Sequence, residues 1–178
     1  MKNLIALLFV LLLFAVPAMS QESEVTEILW EDYEGLLDST ATGGDFIDFE
    51  EAGIRIFIPE GLDPMDLPET LKNNGYLGYF RKEDHSMMVV ISKVNSGDKT
   101  PTGFVEEMQS HIPEIKLTEL YKINGMDAAI FDDPTHDETN CILKTEESLI
   151  RVSVQPVSNY EASMLSETVF FSVQIMGD

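Results

Sequence analysis

Basic residues are scarce in this chain of 178 residues: 11 Lys and Arg stand against 32 Asp and Glu, a formal net charge of −21. So acidic a chain repels nucleic-acid phosphates and anionic membrane surfaces, which excludes both as partners. It favours a cationic protein, peptide or small ligand, or a divalent cation. Cysteine is nearly absent. Cys141 alone cannot form an intramolecular bridge, so packing must hold the fold without a staple. Its apolar setting, Cys141-Ile142-Leu143, reads as a buried thiol in a strand, with an intermolecular disulfide or a reactive thiol as the alternatives. Histidine is sparse too. His85, His111 and His136 fall in three separate segments. A Gly-rich phosphate loop is missing, because Thr42-Gly43-Gly44-Asp45 lacks the lysine and the helix that should follow it.

One long apolar run is present, Leu4 to Val16, at thirteen residues. A membrane-spanning helix needs about 20. Lys2 precedes the run, and Pro17-Ala18-Met19-Ser20 follows it with small residues at the −3 and −1 positions before Gln21. This is the layout of a cleaved secretory signal peptide over residues 1–20, with a short n-region of bacterial type. No cysteine lies at that cleavage site to carry a lipid, and no second apolar span follows. The expectation is a mature domain secreted into the extracellular or cell-envelope space, with no stable membrane insertion after cleavage. Removing Lys2 leaves ten basic residues against 32 acidic ones, and between Gln21 and Glu69 there are 15 acids against one base, Arg55.

Periodicity divides the rest into an acidic N-terminal arm and linker (21–44) and one domain (45–178). Val25, Ile28, Leu29, Leu36 and Leu37 recur at roughly helical spacing beside Trp30 and Tyr33. Strands are expected at Phe46–Phe49 and Ile54–Ile58, joined through Gly53, followed by a loop with one helical turn after Pro68. A hairpin follows at 76–82 and 87–94, in which Tyr76, Tyr79 and Phe80 divide between the core and an exposed groove. Met87 and Met88 read as core strand packing. Thr100 with Pro101 opens a helix whose apolar stripe is Phe104, Met108 and Ile112. Asn124-Gly125 is a type I′ hairpin turn between strands 117–123 and 126–131. Asp132 to Thr139 reads as a polar loop, and 140–145 pairs with 148–154. Ser158 with Glu161 makes a capping box for a last helix. The order predicts an α+β fold, an antiparallel β-sheet flanked by helices.

Four of these stretches together resemble the Mog1/PsbP-like αβα sandwich family: Ala52-Gly53-Ile54-Arg55-Ile56-Phe57-Ile58-Pro59, Thr102-Gly103-Phe104, Ile123-Asn124-Gly125-Met126-Asp127-Ala128, and Phe171-Ser172-Val173 closing the last helix. The resemblance spans about residues 46 to 176. Glu60-Gly61-Leu62 stands where the family often places a Trp after the first-strand Pro. The resemblance implies a binding or assembly factor rather than a catalyst.

Among chemistry-bearing residues, Asp132, Asp133, His136, Asp137 and Glu138 crowd one stretch. Clustered carboxylate oxygens suit Ca²⁺, and with His136 a transition metal. The spacing matches neither an EF-hand loop nor a His-x-x-x-His zinc pattern, so a solvated acidic loop is the competing reading. Cys141 with His136 is the one conceivable nucleophile and base, and it assigns no catalytic residue. The expected function is a secreted non-enzymatic binding module. A Ca²⁺-binding protein comes second and a hydrolase third.

Overall fold

The computed structural model describes residues 25–37, 43–95 and 97–177. The stretch expected as a signal peptide (1–20), the start of the expected arm (21–24) and residues 38–42 of the expected linker lie outside them. Strands β1 (Thr26–Ile28), β4 (Asp63–Pro64), β5 (Tyr76–Arg81), β6 (Met88–Val94), β7 (Lys116–Ile123), β8 (Met126–Asp133), β9 (Glu138–Lys144) and β10 (Leu149–Gln155) form one sheet in the order β1-β7-β8-β9-β10-β6-β5-β4. Strands β2 (Gly44–Phe49), β3 (Ile54–Pro59) and β11 (Gln174–Ile175) form a second, ordered β11-β3-β2. Pairing is antiparallel except between β1 and β7. Among the described residues, four helices complete the fold: α1 (Trp30–Glu34), α2 (Glu69–Lys72), α3 (Pro101–His111) and α4 (Tyr160–Phe171). The fold is α+β, as the sequence predicts.

Turn chemistry sets the hairpins. Asn124 and Gly125 carry φ of 47° and 80°, the pair of positive angles a type I′ turn needs. Gly53, at φ 63°, closes the short 3₁₀ turn Glu50–Ala52 between β2 and β3. Thr100 caps α3 by accepting from the Gly103 amide at 3.1 Å.

The large sheet buries its two faces unequally. One face meets α4 and the small sheet, joining Val89, Ile91, Ile130, Cys141, Leu143, Ile150 and Val152 to Ile54, Ile56, Val169 and Phe170. The other receives α3, through a smaller cluster of Val105, Ile115, Ala129, Phe131, Ile142 and Leu149, with the short α2 at its far edge. Val105 is the helix residue driven fully in. Phe104, Met108 and Ile112, expected as its core stripe, are only partly buried around it. They lie on the flank of α3, and Met108 and Ile112 continue into an open groove.

Three local expectations are revised. Half of the polar stretch 132–139 is ladder: β8 runs to Asp133, β9 begins at Glu138, and the four residues 134–137 form the turn between them. The cap of α4 is Asn159, which accepts from the Glu161 amide at 2.9 Å, because Ser158 is held instead by Asp137. The arm drawn at 21–44 enters the domain. β1 pairs with Tyr121–Ile123, and Trp30, 5% exposed, packs against Phe46 and Phe57 with ring centroids 5.7 and 5.8 Å away.

Asn124 locks this segment. Its Oδ1 accepts from the Trp30 amide (2.6 Å), and its Nδ2 donates to the carbonyls of Phe171 (2.9 Å) and Val173 (2.7 Å). One side chain thus ties the N-terminal segment and the end of α4 to the β7–β8 turn. Replacing Asn124 by Gly keeps the left-handed turn but deletes these bonds, and is expected to cost about 2–3 kcal/mol. Asn124→Ala should cost roughly 1 kcal/mol more, because Ala resists positive φ. Urea unfolding followed by Trp30 fluorescence measures both.

Candidate functional site

The half-covered face of the large sheet is where the chemistry collects. Alternation along β9 and β10 sends Glu138, Asn140, Arg151, Ser153 and Gln155 to the face that carries α3. The register places Asn140 opposite Ser153 and Asp133 opposite Glu138. A groove of about 580 Å³ is lined by Asp133, Glu138, Arg151, Ser153 and Gln155, with Asn140 buried beneath it. Its walls are Met108 and Ile112 from the α3 side and Leu67 and Leu71 from the α2 side, and Tyr76, Tyr79 and Met88 extend its floor. Tyr79 donates its hydroxyl to the Met88 sulfur at 2.9 Å. Of the aromatics singled out in the sequence, Phe80 is core while Tyr76 and Tyr79 line the groove; Met87 is core and Met88 lines the groove.

A connected network occupies one end. Glu138, only 8% exposed, pairs with the Arg151 guanidinium. Arg151 Nε donates to Asn140 Oδ1 (2.8 Å), which also accepts from the Ser153 hydroxyl (2.6 Å). The guanidinium lies 6.0 Å from the centroid of the Phe131 ring. Arg151 has only donors, so the amide of Asn140 must present its oxygen to it. That leaves the buried Asn140 Nδ2 without an acceptor among the described residues. A buried donor in this state costs about 1–3 kcal/mol.

Beside this network, Asp133 Oδ1 accepts from the Thr135 amide (3.0 Å), and Asp133 Oδ2 lies 2.7 Å from His136 Nδ1. Burial pushes the Asp133 carboxyl up, but hydrogen bonds from His136 and Thr135 outweigh it and hold its pKa below the ordinary 3.8. The hydrogen bond and charge of Asp133 raise exposed His136 above its ordinary 6.5.

Of the five residues expected to form a metal cluster, the structure brings three together. Ligating atoms of Asp133, His136 and Glu138 lie within 4.8 Å of one another. Asp132 alternates to the opposite face, where it lines a smaller hollow of about 490 Å³ beside α4. Asp137 is committed elsewhere: it accepts from the amide (3.0 Å) and hydroxyl (2.6 Å) of Ser158. Two carboxylates and an imidazole suit a transition metal better than Ca²⁺. Both carboxylates already have partners, however, and Arg151 supplies a cation at the centre. Cys141 points into the core on the other face, and burial pushes its thiol pKa far up. It does not face His136, so the nucleophile pair conceived from the sequence does not form.

Arg151, Asn140 and Ser153 escaped the sequence reading. The signal was the polar alternation Arg151-Val152-Ser153-Val154-Gln155 in a central strand, which marks a face left partly uncovered.

No family model matches the chain, and no curated protein matches it. Among solved structures, the chain is similar to the solution structure of cyanobacterial PsbP (CyanoP) from Synechocystis sp. PCC 6803. The TM-score is 0.49 and the identity 16%, over 76% of this chain and 93% of that one.

The Asp133–His136 pair should make stability pH-dependent, with a sign that follows from the two shifts. The raised His136 stabilises fully below its unfolded value near 6.5, and that contribution is lost as pH rises through its folded value. The depressed Asp133 stabilises above 3.8, and its contribution is lost as pH falls through its folded value. Melting temperatures of the wild type and His136→Ala should therefore differ most between those two limits and converge at alkaline pH.

Proposed function

We propose that this chain is a secreted, non-enzymatic binding module whose ligand occupies the groove between α3 and α2. The observation that carries this reading is the coincidence, on one half-covered sheet face, of a groove of about 580 Å³ with the Arg151–Glu138 charged pair that lines its end. Ligand sites of this size are mostly apolar, with a few fixed polar groups that orient the ligand. Here Leu67, Leu71, Tyr76, Tyr79, Met88, Met108 and Ile112 offer the apolar contact. Arg151, Asp133 and His136 at one end offer both donors and acceptors. The ligand class is a peptide segment or small molecule with an apolar body and a polar head. Methionine on two sides lets the walls adapt to its shape. The secretory leader read from residues 1–20 supports export. No helix among the described residues is long and apolar enough to cross a membrane.

Methyl-labelled methionine NMR against a library of amphiphilic carboxylates and amines tests the site. Binders should shift the Met88 and Met108 methyl signals, and Ser153→Phe, which fills the groove, should abolish those shifts. Binders that leave both methyls unmoved would place the site elsewhere.

A second reading rests on the three ligating groups within 4.8 Å of one another. In it, Asp133, His136 and Glu138 hold a divalent metal after displacing Arg151 from Glu138. Titration with Zn²⁺, Mn²⁺ or Ca²⁺ followed by thermal melting decides it. Binding raises the melting temperature with occupancy, and the rise disappears in Asp133→Asn. An unchanged melting temperature at millimolar metal rejects it.

A further inference from the structure

A larger cleft, of about 990 Å³, opens beyond Leu67 and Tyr79, between the small sheet and the β5 end of the large one. Its floor is apolar, with Phe49, Ile58, Leu62 and Phe80 buried there. Its rim carries Asp45, Asp48, Glu60 and Asp66. Among the described residues none of these four makes an ion pair. Lys72, the basic residue on the lining, is bonded to Glu69 at 3.2 Å. Arg55, the register neighbour of Asp48, gives its guanidinium to Gln174 at 2.6 and 2.9 Å and lies over the Phe46 ring. The rim is therefore an uncompensated negative field above an apolar floor.

One wall of the cleft is β2, the last strand of its sheet. The phase of its ladder follows from one bond. The Glu60 amide donates to the Gly43 carbonyl at 2.7 Å, and the register pairs Gly44 with Pro59. Antiparallel partners alternate between bonded and non-bonded pairs. Asp45, Ile47 and Phe49 therefore bond inward to β3, while Gly44, Phe46 and Asp48 turn their amides and carbonyls outward. Phe57, the partner of Phe46, agrees with this phase: its amide donates away from β2, to the Ser172 hydroxyl at 3.0 Å. Among the described residues, β2 thus presents an open row of backbone donors and acceptors along the acidic cleft.

From these observations we propose that the outer edge of β2 accepts an extended, cationic segment of a partner protein as an added strand. Strand addition takes its affinity from main-chain hydrogen bonds and its selectivity from alternate side chains. A segment of alternating basic and apolar residues answers each feature. Its backbone pairs with Gly44, Phe46 and Asp48. Its apolar side chains cover the floor on the face of Ile47 and Phe49, and its basic ones, on the opposite face, meet Asp48, within the negative field of the other rim carboxylates. A second copy of β2 answers them poorly, because Gly44-Asp45-Phe46-Ile47-Asp48-Phe49 carries two acids and no base, and pairing it with itself brings like charges together. This surface is separate from the α3–α2 groove and does not rest on it.

The probe is a fluorescent peptide of alternating lysine and valine, with a glutamate–valine peptide as its counterpart, titrated into the mature chain and followed by anisotropy. The lysine peptide should bind, and Asp48→Pro, which removes an outward amide and a carboxylate, should weaken it about tenfold or more. Asp45→Asn with Asp48→Asn should weaken it less and flatten its salt dependence. Hydrogen exchange on the wild type gives a readout that does not depend on a variant folding. The peptide should slow exchange at Gly44, Phe46 and Asp48 and leave Asp45 and Ile47 as they were. Equal binding by the glutamate peptide, or no protection at those three amides, overturns the proposal. So does dimerisation through β2 seen by sedimentation.

Discussion

An eight-stranded sheet has two faces to keep from water, and this chain has helix enough for one and a half. That shortfall organises the molecule. The face toward α4 and the small sheet is sealed by an apolar cluster drawn from almost every strand. The opposite face has α3, seated over the β8–β9 end, and the short α2 turn cannot close the gap. Strands that are apolar on both sides near α3 become polar on one side beyond it. The groove, its methionine walls and its charged end are what the uncovered part of the sheet looks like from solvent.

Charge is handled differently at the two open places. In the groove, acids and bases are matched: Arg151 answers Glu138, and His136 answers Asp133. Removing two charges from water is compensated there by hydrogen bonds shared through Asn140 and Ser153, and breaking such a pair strands the other charge. In the cleft beside β2, the four rim acids make no ion pair among the described residues. The first region favours a ligand chosen by shape and by a few directed bonds. The second favours encounter with anything positive, at long range and with a dependence on salt. Both regions share Leu67 and Tyr79 as wall residues, so occupancy of one touches the structure that bounds the other.

Much of the architecture was legible because it is set locally. Asn124-Gly125, Gly53 and the Thr100-Pro101 cap each dictate a backbone angle or a missing donor, and each lies where its chemistry places it. What was not legible depends on residues far apart in the chain. Asp133 and Glu138 read as loop acids because Arg151, thirteen positions beyond Glu138, converts a polar strand end into a satisfied one. Ser158 looked like a cap because nothing nearby announces that Asp137, twenty-one positions earlier, claims its hydroxyl. Trp30 looked like part of an arm because its socket is assembled from β2, β3 and a turn at Asn124, ninety-four positions away. The same holds for the site: the cluster at 132–138 was visible, but not which of its members share a face.

The socket of Trp30 also joins parts of the chain that lie far apart in sequence. Trp30 packs against Phe46 and Phe57, its amide is held by Asn124, and the same Asn124 side chain holds the carbonyls of Phe171 and Val173. A disturbance at the end of the last helix is therefore felt at the first one, because both hang on a single amide group.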